Sequence, residues 1–212
     1  MVSKRNRVIN LINYVESLGI KINWGKNKAQ GNKGFFKVKL DKYRIDISKN
    51  LTEEEAIRVL VHEFSHYIHY NNDKTLKSLI FLGENINDNI IEELLSITVD
   101  SIPKETIKPL FELQNSLKEN IKELQARQFN FINQIELKTK QKYLNNINSK
   151  ISRINRYYNS PTELFARSME NFILNETHFK RKAPLLYNLY SQYITKDIIL
   201  FNFIKNVRII LK

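Results

Sequence analysis

Apolar residues recur at helical spacing over much of the chain, which predicts a mainly helical protein. The first such segment runs from residue 4 to residue 18, and Gly19 is its predicted end, since glycine is common just past helix termini. Thr52 and Glu55 have the spacing of a capping box, which predicts the start of a second helix. The helical patterns after the first cover residues 52–70, 87–100, 161–175, 184–193 and 198–211.

Strand signals are confined to a short stretch between the first two helices. Residues 20–24 predict a short strand, and residues 25–34 read as a polar loop of Gly, Asn and Lys. Residues 35–40 and 43–47 alternate apolar and polar side chains around a short turn, which predicts a β-hairpin. The expected fold class is therefore α+β, mainly helical, with a small antiparallel sheet.

Residues 104–160 follow a different pattern. Apolar positions recur there every three or four residues, in one run that starts at Leu110 and another from Leu144 to Tyr158. The polar run 138–142 separates the two, so we predict two antiparallel arms or a short coiled coil. The chain is expected to be a single domain over residues 1–212, with 104–160 inserted as a helical hairpin.

The strongest chemical signal is His62-Glu63-Phe64-Ser65-His66, an H-E-x-x-H motif inside a predicted helix. At about 100° per residue, both histidines fall on one face of that helix and the apolar residues fall on the other. The helix can thus pack in a core while it presents two imidazoles one turn apart, an arrangement that can hold zinc. Glu63 lies beside them, in position to contact a water on the metal.

A catalytic zinc site needs a third protein ligand and an open position, and two regions offer one. Glu163 lies 97 residues after His66, where Ser160-x-x-Glu163 also fits a capping box. Glu92 and Glu93 lie 26 and 27 residues after His66, on a predicted helix whose solvated face would also suit them. Because the chain has no cysteine, any zinc must be held by imidazole and carboxylate groups.

H-E-F-S-H followed much later by S-P-T-E-L-F-A-R-S-M-E resembles the motifs of the gluzincin metallopeptidases. The similarity is greatest to peptidases associated with phages and mobile elements. It is more distant to the ImmA/IrrE-like peptidases and to the peptidase domain of anthrax lethal factor. The resemblance covers residues 35–70 and 157–175, and it implies a zincin-like sheet packed on the H-E-x-x-H helix, with Zn²⁺ held by His62, His66 and Glu163.

The resemblance also implies a zinc metallopeptidase that acts on a peptide or protein substrate. Glu63 is then the general base towards a zinc-activated water, and a tyrosine before Glu163 donates to the oxyanion. Tyr157 and Tyr158 are the available tyrosines, although Tyr158 also fits the apolar seam of the hairpin. By analogy with the fold, residues 43–47 are expected to form an edge strand that pairs with the substrate backbone.

Three further polar residues accompany the two motifs. Arg167 and Glu170 continue the second motif, either as a salt bridge on the helix face or as partners that orient the metal ligands. His69 lies one turn past His66, where it is either close to the metal or a plain surface histidine.

Charge supplies a rival interpretation. The 34 Lys and Arg residues against 22 Asp and Glu favour an anionic partner, although an AT-rich gene would also be rich in lysine. The excess is uneven, because residues 52–103 carry a net −7 whereas residues 104–160 carry +6. The hairpin could therefore bind nucleic acid, or dock a protein or a second copy beside an inactive zinc site. Its candidate phosphate contacts are Arg127, Lys138, Lys140, Lys142, Lys150, Arg153 and Arg156.

No signal-peptide pattern is visible, and no apolar run approaches the length of a membrane span. A cytoplasmic location without a membrane partner is therefore expected. The absence of cysteine also excludes disulfides and a cysteine nucleophile.

Overall fold

The computed structural model describes residues 4–24, 33–40, 42–73, 87–99, 104–127 and 131–211. The chain divides into two compact units. We name them the core unit, Met1–Asp100 with Pro161–Lys212, and the hairpin unit, Ser101–Ser160. The described residues are mainly helical with one small sheet, so the predicted fold class is confirmed.

The elements follow one another in the order that the sequence patterns predict. The core unit starts with α1 (Lys4–Ser17), β1 (Ile20–Trp24), β2 (Gly34–Lys39), β3 (Lys42–Ile47), α2 (Glu53–Asn72) and α3 (Asp88–Val99). The hairpin unit contributes α4 (Lys104–Ala126) and α5 (Phe131–Tyr158). The core unit resumes with α6 (Pro161–Leu174), α7 (Glu176–Lys182), α8 (Pro184–Lys196) and α9 (Ile198–Leu211).

Two features of this order differ from the predictions or lie beyond them. The pattern missed α7, because this seven-residue helix buries only Phe179 and has no apolar period to detect. Most of the predicted polar loop, residues 25–32, lies outside the described residues, and Gly34 already belongs to β2.

The sheet has the strand order β1-β3-β2. β2 pairs with β3 in antiparallel fashion, as the hairpin pattern predicts, but β1 pairs with β3 in parallel, so the sheet is mixed rather than antiparallel. The prediction that residues 43–47 form an edge strand is wrong, because β1 occupies the other side of β3 and leaves it in the centre. Among the described strands, β1 and β2 are the two edge strands, and β2 is the one that precedes the hairpin turn.

α2 is the central helix of the core unit. Its start is the predicted capping box, in which the Thr52 side chain accepts from the Glu55 amide and the Glu55 carboxylate accepts from the Thr52 amide. The apolar face of α2 is buried, and Phe64 stacks on Phe203 of α9 with ring centroids 3.8 Å apart. α2 packs most extensively on α6, which brings the opposite, polar face of α2 to the second motif.

The hairpin unit is a pair of helices with its own small core. Leu117 of α4 packs against Ile147 and Ile151 of α5, and all three side chains are buried. Gln114 donates to Asn148 at 2.7 Å across the pair, a polar contact that favours one register over its neighbours. The polar run 138–142 does not separate the arms, because it lies inside α5.

In the part of the chain that the structure describes, no helix combines the length and the apolar content needed to cross a membrane.

Replacing Thr52 by Ala should destabilise the protein by about 1 kcal/mol, because alanine lacks the hydroxyl group that accepts from the Glu55 amide in the α2 capping box. For a chain of this size, thermal denaturation should then show a midpoint lowered by about 2–4 °C. Thr195→Ala is the matched control, since Thr195 is an exposed threonine in the last turn of α8. An equal loss in both variants would contradict the capping role.

Candidate metal centre

Two helices bring three potential metal ligands together in the core unit. α2 contributes His62 and His66, which lie one turn apart, and the first turn of α6 contributes Glu163. Their side chains form a group that could hold a metal ion. The site is largely shielded from solvent, since the side chains of His62 and His66 are 15% and 12% exposed and that of Glu163 is 3% exposed.

The two imidazole nitrogens lie from each other, and each from one of the two carboxylate oxygens, at distances close to those between ligands of a tetrahedral zinc site. The two Nε2 atoms are 3.2 Å apart, His66 Nε2 lies 3.3 Å from Glu163 Oε1, and His62 Nε2 lies 3.6 Å from Glu163 Oε2. Ligands bound at ~2.0–2.1 Å in tetrahedral geometry lie about 3.3 Å from one another. Two imidazoles and a carboxylate are also a donor set typical of catalytic zinc, so the residues present fit this ion.

The outer nitrogen of each histidine is held by a residue of α6. His62 Nδ1 lies 3.2 Å from Glu170 Oε2, and Glu170 Oε1 in turn accepts from Arg58 at 3.2 Å. His66 Nδ1 lies 2.8 Å from the Thr162 hydroxyl. When each Nδ1 carries the ring proton and donates it to its partner, both Nε2 lone pairs face the centre of the site.

The electrostatics of the site reflect this convergence. Burial alone would lower the pKa of His62, but the carboxylates of Glu163 and Glu170 outweigh it and raise that pKa to about 10. Burial acts to raise the pKa of Glu163, yet hydrogen bonds to His62 and His66 dominate and hold it well below its usual value. The raised pKa of His62 thus reflects the excess of carboxylate charge in the site, which a bound divalent cation would offset.

Glu63 occupies the position next to the ligands that the motif predicts. It is 7% exposed, and burial is the main cause that raises the pKa of its carboxyl group. The backbone of Phe36 in β2 acts in the opposite direction and lowers this pKa. Gly34 of β2 lies so close that an added Cβ would be 2.3 Å from Val59 Cγ1 and 2.8 Å from Glu63 Oε1. The edge strand therefore rests directly on Glu63.

The other proposed third ligands have different positions. Glu93 accepts from the backbone amide of Leu186 at 2.8 Å, so it caps the first turn of α8 from α3. Glu92 is exposed on α3. Neither belongs to the cluster of His62, His66 and Glu163 within the described residues.

The remaining predicted residues fall outside that cluster too. His69 is not a surface histidine, since it is 2% exposed and its ring packs against Phe165 at 5.2 Å. Tyr157 and Tyr158 end α5 in the hairpin unit, with their rings 5.3 Å apart, while the metal ligands belong to the core unit. Their role towards an oxyanion stays a prediction.

Arg167 and Glu170 of the second motif both lie within ion-pair distance of other site residues. The Arg167 Nε lies 3.3 Å from Glu163 Oε2, one turn along α6, and Glu170 bridges His62 and Arg58. Thr162 and Arg58 were not among the predicted site residues. Their positions in the sequence could have indicated them, since Thr162 directly precedes Glu163 and Arg58 lies one turn before His62 on the same face of α2.

Comparisons with protein-family models, with curated proteins and with solved structures found no match to this chain. The resemblance to gluzincins therefore depends on the two motifs alone, and the geometry of the site is the structural evidence that bears on function.

Thr162→Val should weaken zinc binding by about 10–100-fold, because valine keeps the shape of threonine but leaves His66 Nδ1 without its partner. Competition with a chromophoric chelator measures the dissociation constant. Thr162→Ser, which retains the hydroxyl, should bind zinc as the wild type does. The positioning role is refuted if the valine and serine variants bind equally tightly.

Proposed function

We propose that this chain is a zinc-dependent metallopeptidase that hydrolyses peptide bonds with Glu63 as the general base. The observation that carries the proposal is the convergence of His62, His66 and Glu163 at tetrahedral spacing, with a buried carboxylate beside them. Three protein ligands of this kind are typical of catalytic zinc, which keeps a fourth position for water or substrate, whereas closed structural sites use four protein ligands.

In this proposal, zinc supplies Lewis-acid polarisation of a water and of the scissile carbonyl. Glu63 accepts the proton of the attacking water and later delivers it to the leaving amine. The burial that raises the pKa of Glu63 suits these tasks, because it makes the carboxylate a stronger base towards the water and moves its pKa closer to neutral pH, where one group can act as both base and acid. Glu170 and Thr162 keep the two imidazoles in the orientation that the reaction needs.

We also propose that β2 is the strand along which an extended substrate lies. β2 pairs with β3 on one side only, and on that side the Ser48 amide donates to the Lys33 carbonyl. Because the backbone groups of successive residues alternate between the two sides, those of Gly34, Phe36 and Val38 face the free edge. A peptide paired with that edge would pass directly over the proposed general base.

The first test is metal content. Wild type reconstituted with zinc and then desalted should hold about one zinc ion per chain by elemental analysis. Glu163→Gln should lose it, because the amide is neutral and a much poorer ligand. The matched controls are Glu92→Gln and Glu93→Gln, which remove the competing carboxylates and should retain zinc. Zinc retained in Glu163→Gln, or absent from the wild type, would contradict the site.

The second test is catalysis with the metal in place. Glu63→Gln should bind zinc normally but cleave a mixed peptide library about 10²–10⁴-fold more slowly than the wild type, with products identified by mass spectrometry. Glu54→Gln is the control, since Glu54 is an exposed carboxylate on the first turn of the same helix. A zinc-loaded wild type that cleaves no peptide, or an unchanged rate in Glu63→Gln, would overturn the peptidase proposal.

A further inference from the structure

The charges of the hairpin unit are divided unequally between its two helices. α4 has four lysines and four glutamates, whereas α5 has six basic residues and a single glutamate. A lysine-rich codon composition would raise the lysine content of both helices alike, so it does not explain why α5 has only one acidic residue. The asymmetry makes α5 the strongly positive helix of the hairpin unit.

The two helices also differ in how many of their basic side chains form ion pairs. On α4, Lys108 pairs with Glu112 and Lys122 pairs with Glu119. On α5, Lys140 pairs with Glu136 at 2.9 Å. The other five basic residues of α5 are exposed and make no ion pair with any residue that the structure describes; they are Lys138, Lys142, Lys150, Arg153 and Arg156.

These five residues share one face of α5. At about 100° per residue they fall within a sector of about 120°, on the side away from Ile147 and Ile151, which pack on α4. Lys140 and its partner Glu136 lie near the packed side instead, which is why this lysine does not belong to the group. We name the five residues the α5 basic face. It extends over about 27 Å of helix, at 1.5 Å per residue.

We propose that the α5 basic face binds the phosphate backbone of duplex DNA, in addition to the activity proposed for the core unit. A span of about 27 Å corresponds to about eight base pairs at 3.4 Å each, so all five side chains can reach phosphates of one duplex. The contacts carry no sequence information, and the binding is therefore expected to be independent of sequence. The inference does not depend on the metal site.

Duplex DNA fits this face better than an anionic lipid surface does. A helix that lies in a membrane interface needs an apolar face along its length, and the apolar face of α5 is packed against α4. The strongly exposed apolar side chains of α5, Phe131, Ile132 and Ile135, all precede Lys138. Tyr143 and Tyr157 are the large exposed apolar side chains within the basic stretch, and two rings do not form the continuous apolar face that such a helix needs.

The test is the salt dependence of binding by the full chain. Fluorescence anisotropy with a labelled 20-base-pair duplex, titrated between 50 and 200 mM KCl, should give a slope of log K against log salt of about −4.5 if five phosphates are contacted. Lys142→Gln combined with Arg153→Gln should reduce the magnitude of this slope by about 2.

The matched control is Lys108→Gln combined with Lys122→Gln. It lowers the net charge by the same amount, but it removes lysines that are already paired on α4. This variant should keep the wild-type slope, and Glu63→Gln should bind the duplex as the wild type does. Circular dichroism checks that both double variants keep their helix content.

Three outcomes would overturn the proposal. They are no binding of the duplex at 50 mM salt, equal loss of slope in the α4 and α5 double variants, and binding to phosphatidylserine vesicles without binding to DNA. The last result would assign the face to a lipid surface instead. None of these results bears on zinc binding or peptide cleavage, so each of the two proposals is tested independently of the other.

Discussion

The packing of α6 against α2 is the contact on which the candidate site depends. Neither helix can form the site alone, because α2 supplies two imidazoles and α6 supplies the carboxylate that completes the set. The apolar faces of both helices enter the same core, where Phe64 and Phe165 are fully buried. Burial of these faces determines how the helices are rotated, and that rotation leaves the polar edges of the two helices facing each other.

Polar contacts orient the side chains that the packing of the core brings together. Glu170 and Thr162 both come from α6 and each holds the outer nitrogen of one histidine. α6, which supplies the third candidate ligand, therefore also orients the two histidines. Buried carboxylates are costly unless they are paired, and here Arg58 and Arg167 lie within ion-pair distance of Glu170 and Glu163. The site is thus stabilised as one unit, and loss of a single member leaves a buried charge unpaired.

The distribution of charge separates two parts of the chain with different chemistry. The acidic stretch from residue 52 to 103 contains Glu63, the proposed general base, and the caps of two helices, since Glu55 closes the box of α2 and Glu93 caps α8. The positive charge of the hairpin unit is gathered on α5. A net charge of +12 for the whole chain hides this division, so the total by itself says little about partners.

The sequence by itself determined the local features of this protein. Periodicity located the helices apart from α7 and the separation of α4 from α5, and the capping box located the start of α2. The H-E-x-x-H spacing placed His62, Glu63 and His66 along one polar edge of a helix, because angular position on a helix depends only on spacing. Only the tertiary structure brought Glu163, and not Glu92 or Glu93, beside the two histidines, placed β3 in the centre of the sheet, and paired Thr162 with His66. Those contacts join segments far apart in the chain, and they follow from which apolar faces pack together, which no local spacing specifies.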